Sequence, residues 1–248
     1  MLTNRQIFLS HLGQTSVSPL MIEIERGEGI YLFSPDRKRY TDLISGVSVS
    51  NTGHCRKEIV DAVKNQAESY LHLMVYGEYI QSPQVQYAKL LADNLPDNLN
   101  TCYFVNSGSE AVEGALKLSR RYTGRTKIVY FNNAYHGSTY GALSVQGSEN
   151  YRSMFKPLVP DTHNISFNDF KALDIIDSST ACVIVEPVQA EAGVITPLPG
   201  FLEEIRSRCT ANGTLLIFDE AQTGFGRTGS MFALDAFKVV PDILILAK

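Results

Sequence analysis

At 248 residues the chain suits one large domain or one and a half ordinary ones, and 44% apolar with 19% charged residues excludes general disorder. A net charge of −4 with no basic run argues against a nucleic-acid partner and against a membrane-surface segment. No apolar stretch reaches the length of a bilayer span.

Cys55, Cys102, Cys182 and Cys209 lie far apart with no paired spacing, so neither a metal site nor a disulfide framework is signalled. Residues 1–14 lack a charged start followed by an apolar core. A reducing, cytoplasmic setting is therefore the simpler expectation.

In chain order, residues 22–26 alternate, turn at 27–29 and resume at 30–33, which predicts a hairpin. Ser34-Pro35-Asp36 predicts a second turn, and 39–42 a third short strand. Ile59, Val63, Ala67 and Tyr70-Leu71 share one face of a helix expected over 57–72. Ser82-Pro83 reads as an N-cap with proline at the first helical position, leading into Val85, Ala88, Leu91 and Leu95. These elements form a mixed N-terminal segment, 1–98.

Beyond it the pattern changes. Apolar runs at 102–105, 127–131, 181–185, 214–218 and 243–246 barely alternate, as expected for strands buried on both faces of a mainly parallel sheet. Amphipathic segments at 110–121 and 201–211 supply covering helices. The expectation is an α/β domain over 99–248.

Each predicted strand is followed by polar or glycine residues: Asn106-Ser107-Gly108-Ser109-Glu110, Asn132-Asn133-Ala134-Tyr135-His136-Gly137, Glu186-Pro187-Val188-Gln189, Asp219-Glu220-Ala221-Gln222, and Lys248. Ligands bind beyond the carboxyl ends of parallel strands, so these groups are expected at one edge. Ser107-Gly108-Ser109 opens a helix and offers hydroxyls and free N–H groups to an anion such as phosphate, although Ser107 and Glu110 also have the spacing of an ordinary capping box. Asp219, desolvated at a strand end, suits a protonated ring nitrogen, or is a solvated acidic pair with Glu220. Tyr135 offers a face to a flat ring, with His136-Gly137 making the turn that aims it, or is loop packing. Lys248 follows an apolar strand, where a desolvated amine is a nucleophile for a carbonyl, or is a charged chain end. Each signal is weak alone, but together they fit one ligand with a phosphate, a flat ring, a pyridine nitrogen and an aldehyde.

These motifs, with Gly226-Arg227-Thr228-Gly229, 241–248 and the upstream Ser45-Gly46 and Gly53-His54, occur in an order that resembles the class III aminotransferases over nearly the whole chain. The resemblance implies the large domain of the fold type I pyridoxal-phosphate enzymes, with 1–98 contributing to a small domain and a substrate-side flank. It implies that Gly108 and Ser109, with Ser107, hold the cofactor phosphate, that Tyr135 stacks on the ring beside His136, and that Asp219 pairs with the ring nitrogen. Gln222 would reach the ring hydroxyl, Ala221 would pack on the ring, Glu186 would support the site, and Lys248 would form the Schiff base. Ser45, Gly46, Ser138 and Glu191 would lie on the substrate side, Glu191 swinging towards an arginine between half-reactions. The implied reaction is a ping-pong transamination between an amino donor and an oxo acid such as 2-oxoglutarate, in a homodimer with shared sites.

Three departures stand out. Ala221 replaces a usual Val or Ile, Ala190 and Ala192 replace frequent glycines, and Ser138 replaces the arginine that binds a substrate carboxylate in acetylornithine and 4-aminobutyrate enzymes. Family members continue beyond the lysine into a C-terminal small domain, so the native protein is expected to do the same. An aminomutase, racemase or decarboxylase on the same fold is the nearest rival, followed by a non-catalytic protein that retains the fold.

Overall fold

A computed structural model describes residues 2–75 and 77–248. The chain divides into two compact units, Met1–Tyr79 and Ile80–Lys248.

In the first unit, helix α1 (Asn4–His11) starts at a Thr3–Gln6 capping box. Strands β1 (Arg26–Glu28), β2 (Tyr31–Phe33) and β3 (Arg39–Thr41) form an antiparallel meander. The hairpin turn falls later than expected, at Gly29-Ile30, because Gly27 is a ladder residue opposite Leu32. Gly27 is small for another reason: a Cβ there would come within 2.9 Å of the His54 ring. Residues 22–25 consequently lie outside the ladder, apart from a bond from Glu25 N–H to the Phe33 carbonyl.

Next comes a single turn, α2 (Ser45–Ser48), whose four residues all have positive φ. The Asp42 carboxylate holds it by accepting the N–H groups of Ile44 (3.1 Å) and Ser45 (2.8 Å), and it also meets His54 Nε2 at 2.8 Å. These bonds, the Ser45 N–H foremost, hold the Asp42 carboxyl below the usual range. Helix α3 (Lys57–Ser69) stops before residue 72, where Tyr70 turns extended.

The second unit opens with α4 (Ser82–Asp93). Its N-cap is Gln81, so Ser82 and Pro83 are its first helical residues rather than cap and first residue. Then follow α5 (Gly108–Thr123), β4 (Lys127–Phe131), α6 (Tyr140–Ser144), α7 (Glu149–Arg152), β5 (Thr162–Ile165), β6 (Thr180–Val185), α8 (Phe201–Asn212), β7 (Leu215–Asp219), α9 (Ala233–Phe237) and β8 (Ile243–Ile245). The five strands pair in the order β5-β4-β6-β7-β8, every pair parallel.

The uninterrupted apolar strands have a direct explanation. Ile128, Tyr130, Cys182, Ile184, Ile217 and Ile245 face one layer with Val112, Ala115 and Leu116 of α5. Val129, Phe131, Val183, Val185, Leu216 and Phe218 face the other, with Phe201, Leu202, Ile205 and Cys209 of α8. Alternate residues thus enter two cores, and neither set can be polar. Complete burial of each large side chain is worth about 1.5–3 kcal/mol.

Two expectations at the strand level are corrected. Residues 102–105 form no strand, and Tyr103 there is 78% exposed. The composition is strand-like, but a strand exists only with a ladder partner, and β8 pairs only with β7 among the described residues. Conversely β5, with the half-polar sequence Thr-His-Asn-Ile, is an edge strand whose single ladder to β4 leaves little compositional trace.

Candidate active site

Because the strands are parallel, the residues after β4, β6, β7 and β8 emerge at one edge of the sheet. Asp219 ends β7 there and is buried, as is His136. Their side chains meet with His136 Nδ1 2.7 Å from Asp219 Oδ2, the ring N–H donating to the carboxylate. The other Asp219 oxygen accepts the Ala221 N–H at 3.1 Å. Two oxygens with one bond each leave acceptor capacity for a further donor. His136 Nε2 is buried with no protein partner.

Tyr135 is half-buried, its ring edge-on to Tyr151 at 6.0 Å between centroids. Its N–H donates to Glu186 Oε1 at 2.8 Å, and the other Glu186 oxygen accepts from Ala190 N at 3.4 Å. Burial pushes the Glu186 carboxyl up to about 7, against the pull of nearby His136 and with a smaller push from Asp219. The loop then turns at Gly137, where φ is 114° and any Cβ would overlap the Ser109 side chain. Only glycine fits both demands. This close approach lets the Ser138 N–H donate to Ser109 Oγ at 3.2 Å, which fixes the loop against the start of α5.

At that helix start the capping reading holds in part. Ser107 caps α5, its Oγ accepting the Glu110 N–H at 3.2 Å. The Glu110 carboxylate returns to the Asn106 N–H at 2.6 Å, one residue short of a true capping box. The Ala111 N–H is taken by the Ser107 carbonyl, which leaves the N–H groups of Gly108 and Ser109 as the free donors of the first turn. A Cβ at Gly108 would lie 3.6 Å from Ala247 Cβ and 3.8 Å from Ala221 Cβ, so the helix start abuts the ends of β7 and β8.

Lys248 is half-buried, and its backbone N–H donates to the Ala221 carbonyl at 3.2 Å. Gln222 Nε2 donates to Glu191 Oε1 at 2.8 Å, and Glu191 is exposed. The structure therefore brings together Ser107, Gly108, Ser109, Tyr135, His136, Ser138, Glu186, Glu191, Asp219, Ala221, Gln222 and Lys248 through bonds and contacts. Ser45 and Gly46 belong to the first unit, in the left-handed turn α2.

The sequence reading missed two features. It gave His136 only the turn, not the Asp219 carboxylate. It also left Glu220 as half of an acidic pair, whereas Glu220 is fully buried and accepts the N–H groups of Ala233 (2.6 Å) and Leu234 (2.8 Å). An acid ending a wholly apolar strand was the available signal; its partners thirteen and fourteen residues on had none. Among the described residues no three His, Cys, Asp or Glu side chains cluster to hold a metal ion, and no helix is long and apolar enough to cross a membrane.

Residues 12–248 match the family described as aminotransferase class-III. The chain belongs to the class III aminotransferases. Members of this family are pyridoxal-phosphate-dependent enzymes. An acetylornithine aminotransferase of Methanopyrus kandleri is 46% identical over 223 residues, which cover 90% of this chain and 57% of that protein. A transaminase from the marine bacterium Virgibacillus superposes with a TM-score of 0.90 at 28% identity, over 97% of this chain and 60% of that one. An ornithine aminotransferase from Toxoplasma gondii, with partial occupancy of PLP at its active site, superposes at 0.85 and 31% identity over 96% and 57%. The class III chain thus spans less than two thirds of the length of these relatives. All three are aminotransferases, which gives the aminomutase, racemase, decarboxylase and non-catalytic readings no support.

Proposed function

We propose that this chain carries the cofactor-binding part of a pyridoxal-phosphate-dependent transaminase, residues 99–248 supplying the site, which moves an amino group from an amino acid or ω-amine donor to an oxo acid such as 2-oxoglutarate. The observation that carries the reading is the buried His136–Asp219 pair at the sheet edge that also holds the free N–H groups of α5 and Lys248.

The residues fit the cofactor. An acceptor with spare capacity, Asp219, suits a ring N–H. The free donors of Gly108 and Ser109, at the positive end of a sixteen-residue helix, suit a phosphate, with the Ser107 and Ser109 hydroxyls beside them. Tyr135 offers a half-exposed aromatic face.

When bound, pyridoxal phosphate supplies an electrophilic carbon and a ring that accepts the electrons released at the substrate carbon. Lys248 is the residue whose amine would hold the cofactor at that carbon. Once free, the same amine would serve as general base and then general acid for the proton of the substrate carbon. Asp219 would hold a proton on the ring nitrogen, and His136 fixes the orientation of Asp219. Glu186 holds the Tyr135 backbone so that the ring of Tyr135 can cover the site. Ala221 presents only a methyl group there, and Gln222, bonded here to Glu191, would be the residue for the ring hydroxyl.

The relatives' names suggest acetylornithine as donor, whereas Ser138 offers a neutral hydroxyl where a donor carboxylate would want a cation. Ser45, Gly46, Ser138 and Glu191 are the substrate-side residues of this reading. Four free cysteines support a reducing, cytoplasmic setting, and the family resemblance supports a homodimer with shared sites.

The test is an absorbance spectrum of the purified intact protein before and after borohydride, with the labelled peptide mapped by mass spectrometry. A visible band fixed by reduction onto Lys248, with amino transfer to 2-oxoglutarate in a donor screen, is the expected result. No band after addition of pyridoxal phosphate would overturn the reading.

A further inference from the structure

Glu220 has no part in the chemistry above, yet each of its polar groups is engaged by a different segment. Its N–H donates to the Ile245 carbonyl of β8 at 2.9 Å, and its carbonyl accepts the Gly224 N–H at 3.0 Å. Its two carboxylate oxygens accept the first N–H groups of α9, from Ala233 at 2.6 Å and Leu234 at 2.8 Å. The side chain is inaccessible to solvent. Loop 221–232 therefore leaves the sheet at Glu220 and returns to the Glu220 carboxylate.

That loop carries two groups of the proposed site. The Ala221 carbonyl receives the Lys248 N–H, and Gln222 meets Glu191. It also packs tightly where it turns: a Cβ at Gly224 would come 3.0 Å from the Glu220 carbonyl oxygen and 3.2 Å from the Leu246 side chain. A buried carboxylate is costly, and here it does one thing a neutral side chain cannot. It accepts two converging N–H groups at once, whereas the amide of Gln would turn its own N–H₂ towards one of them.

We propose that Glu220 is a positioning residue, tying loop 221–232 to α9 and so setting where Lys248 and Gln222 stand relative to the cofactor. The inference rests on the pyridoxal-phosphate reading for its consequence, and on the hydrogen bonds alone for the tie.

The test uses two variants of the intact protein. Glu220→Gln weakens the tie from the acid side at constant shape. Ala233→Pro removes one of the two N–H donors from the helix side, at a first helical position that accepts proline, after the extended Phe232. Amide hydrogen exchange of the cofactor-free proteins is read by mass spectrometry at pH 8, where the Glu220 carboxyl, raised by burial to about 7, has lost its proton. The expected result is exchange faster by roughly ten- to a hundredfold over 221–234 and at 246–248, the effect of losing one charge-assisted bond, with β4 and β6 unchanged. In the loaded proteins the pH at which the visible band changes should shift. The turnover number should also fall at least about tenfold while the donor KM moves less, as for an interaction realised in the transition state.

Unchanged exchange at 246–248 overturns the tie, whether or not the protein binds cofactor. Faster exchange with an unchanged band and turnover overturns the positioning role. A wild-type protein with no band sinks the cofactor reading instead, and exchange then decides the tie by itself. If Glu220→Gln does not fold, Ala233→Pro decides.

Discussion

Replacing Glu186 by Gln should flatten the dependence of stability on pH. The Glu186 carboxyl is buried, with its proton held up to about 7 against an ordinary 4.5. A difference of about 2.5 units at ~1.36 kcal/mol each gives ~3 kcal/mol. The sign follows from the proton count. Between pH 4.5 and about 7 the folded protein keeps a proton that the unfolded chain has released. Stability is therefore full below 4.5, falls as pH rises through that window, and levels off above it. Glu220, also raised to about 7 by burial, adds a second loss of the same sign and similar size. Denaturant unfolding of the cofactor-free protein at pH 5, 6, 7 and 8 measures the total. Glu186→Gln should lose ~2.5 kcal/mol less than wild type between pH 5 and 8, part of the total having gone below pH 5, offset by about 1 kcal/mol at all pH values for the weakened bond to the Ala190 N–H. Parallel wild-type and variant curves across that range would refute the claim that burial holds this proton.

Other outcomes can be checked separately. Asp219→Asn should lower the turnover number about 10²- to 10⁴-fold, the range for a misplaced proton, and stability by about 1 kcal/mol, because the amide oxygen still accepts from His136 while its NH2 faces the Ala221 N–H. Gly137→Ala should cost about 3 kcal/mol or more in unfolding experiments and weaken cofactor binding, since the φ of 114° and the overlap with Ser109 act together. Arg125→Ala should lower stability by about 2–3 kcal/mol without altering the visible band, because it leaves the Thr180, Asn212 and Gly213 carbonyls without their guanidinium donor. In thiol labelling, Cys55 should react first. Cys182 and Cys209, fully buried and pushed by that burial up to about 12, should react only on unfolding.

The sheet was legible wherever burial on two faces forced a continuous apolar run, as in 181–185. It was illegible where a strand needs one neighbour only: β5 hides in Thr-His-Asn-Ile, and 102–105 has the composition of a strand without the ladder. The candidate site followed the same division. Gly108, Tyr135, Asp219 and Lys248 could be singled out because strand ends converge by topology. The bond between His136 and Asp219 joins residues 83 apart in sequence, and no periodicity reports a contact of that kind. The late hairpin turn shows the limit for glycine. Gly27 marks a neighbour's ring rather than a bend, and only packing tells the two apart.

The two edges of the parallel sheet differ in what they leave unspent. At the amino edge Arg125 takes three carbonyls, and Lys127 closes on the Ile175 carbonyl at 2.6 Å and Asp177 at 3.0 Å. At the carboxyl edge the Gly108 and Ser109 N–H groups, His136 Nε2 and part of Asp219 stay available. One rim is closed by its own side chains, and the other keeps donors and an acceptor unspent. Changes at Arg125 and Lys127 should therefore register as lost protein, whereas at the other rim only changes confined to Asp219 should register chiefly as altered chemistry in a chain that still folds.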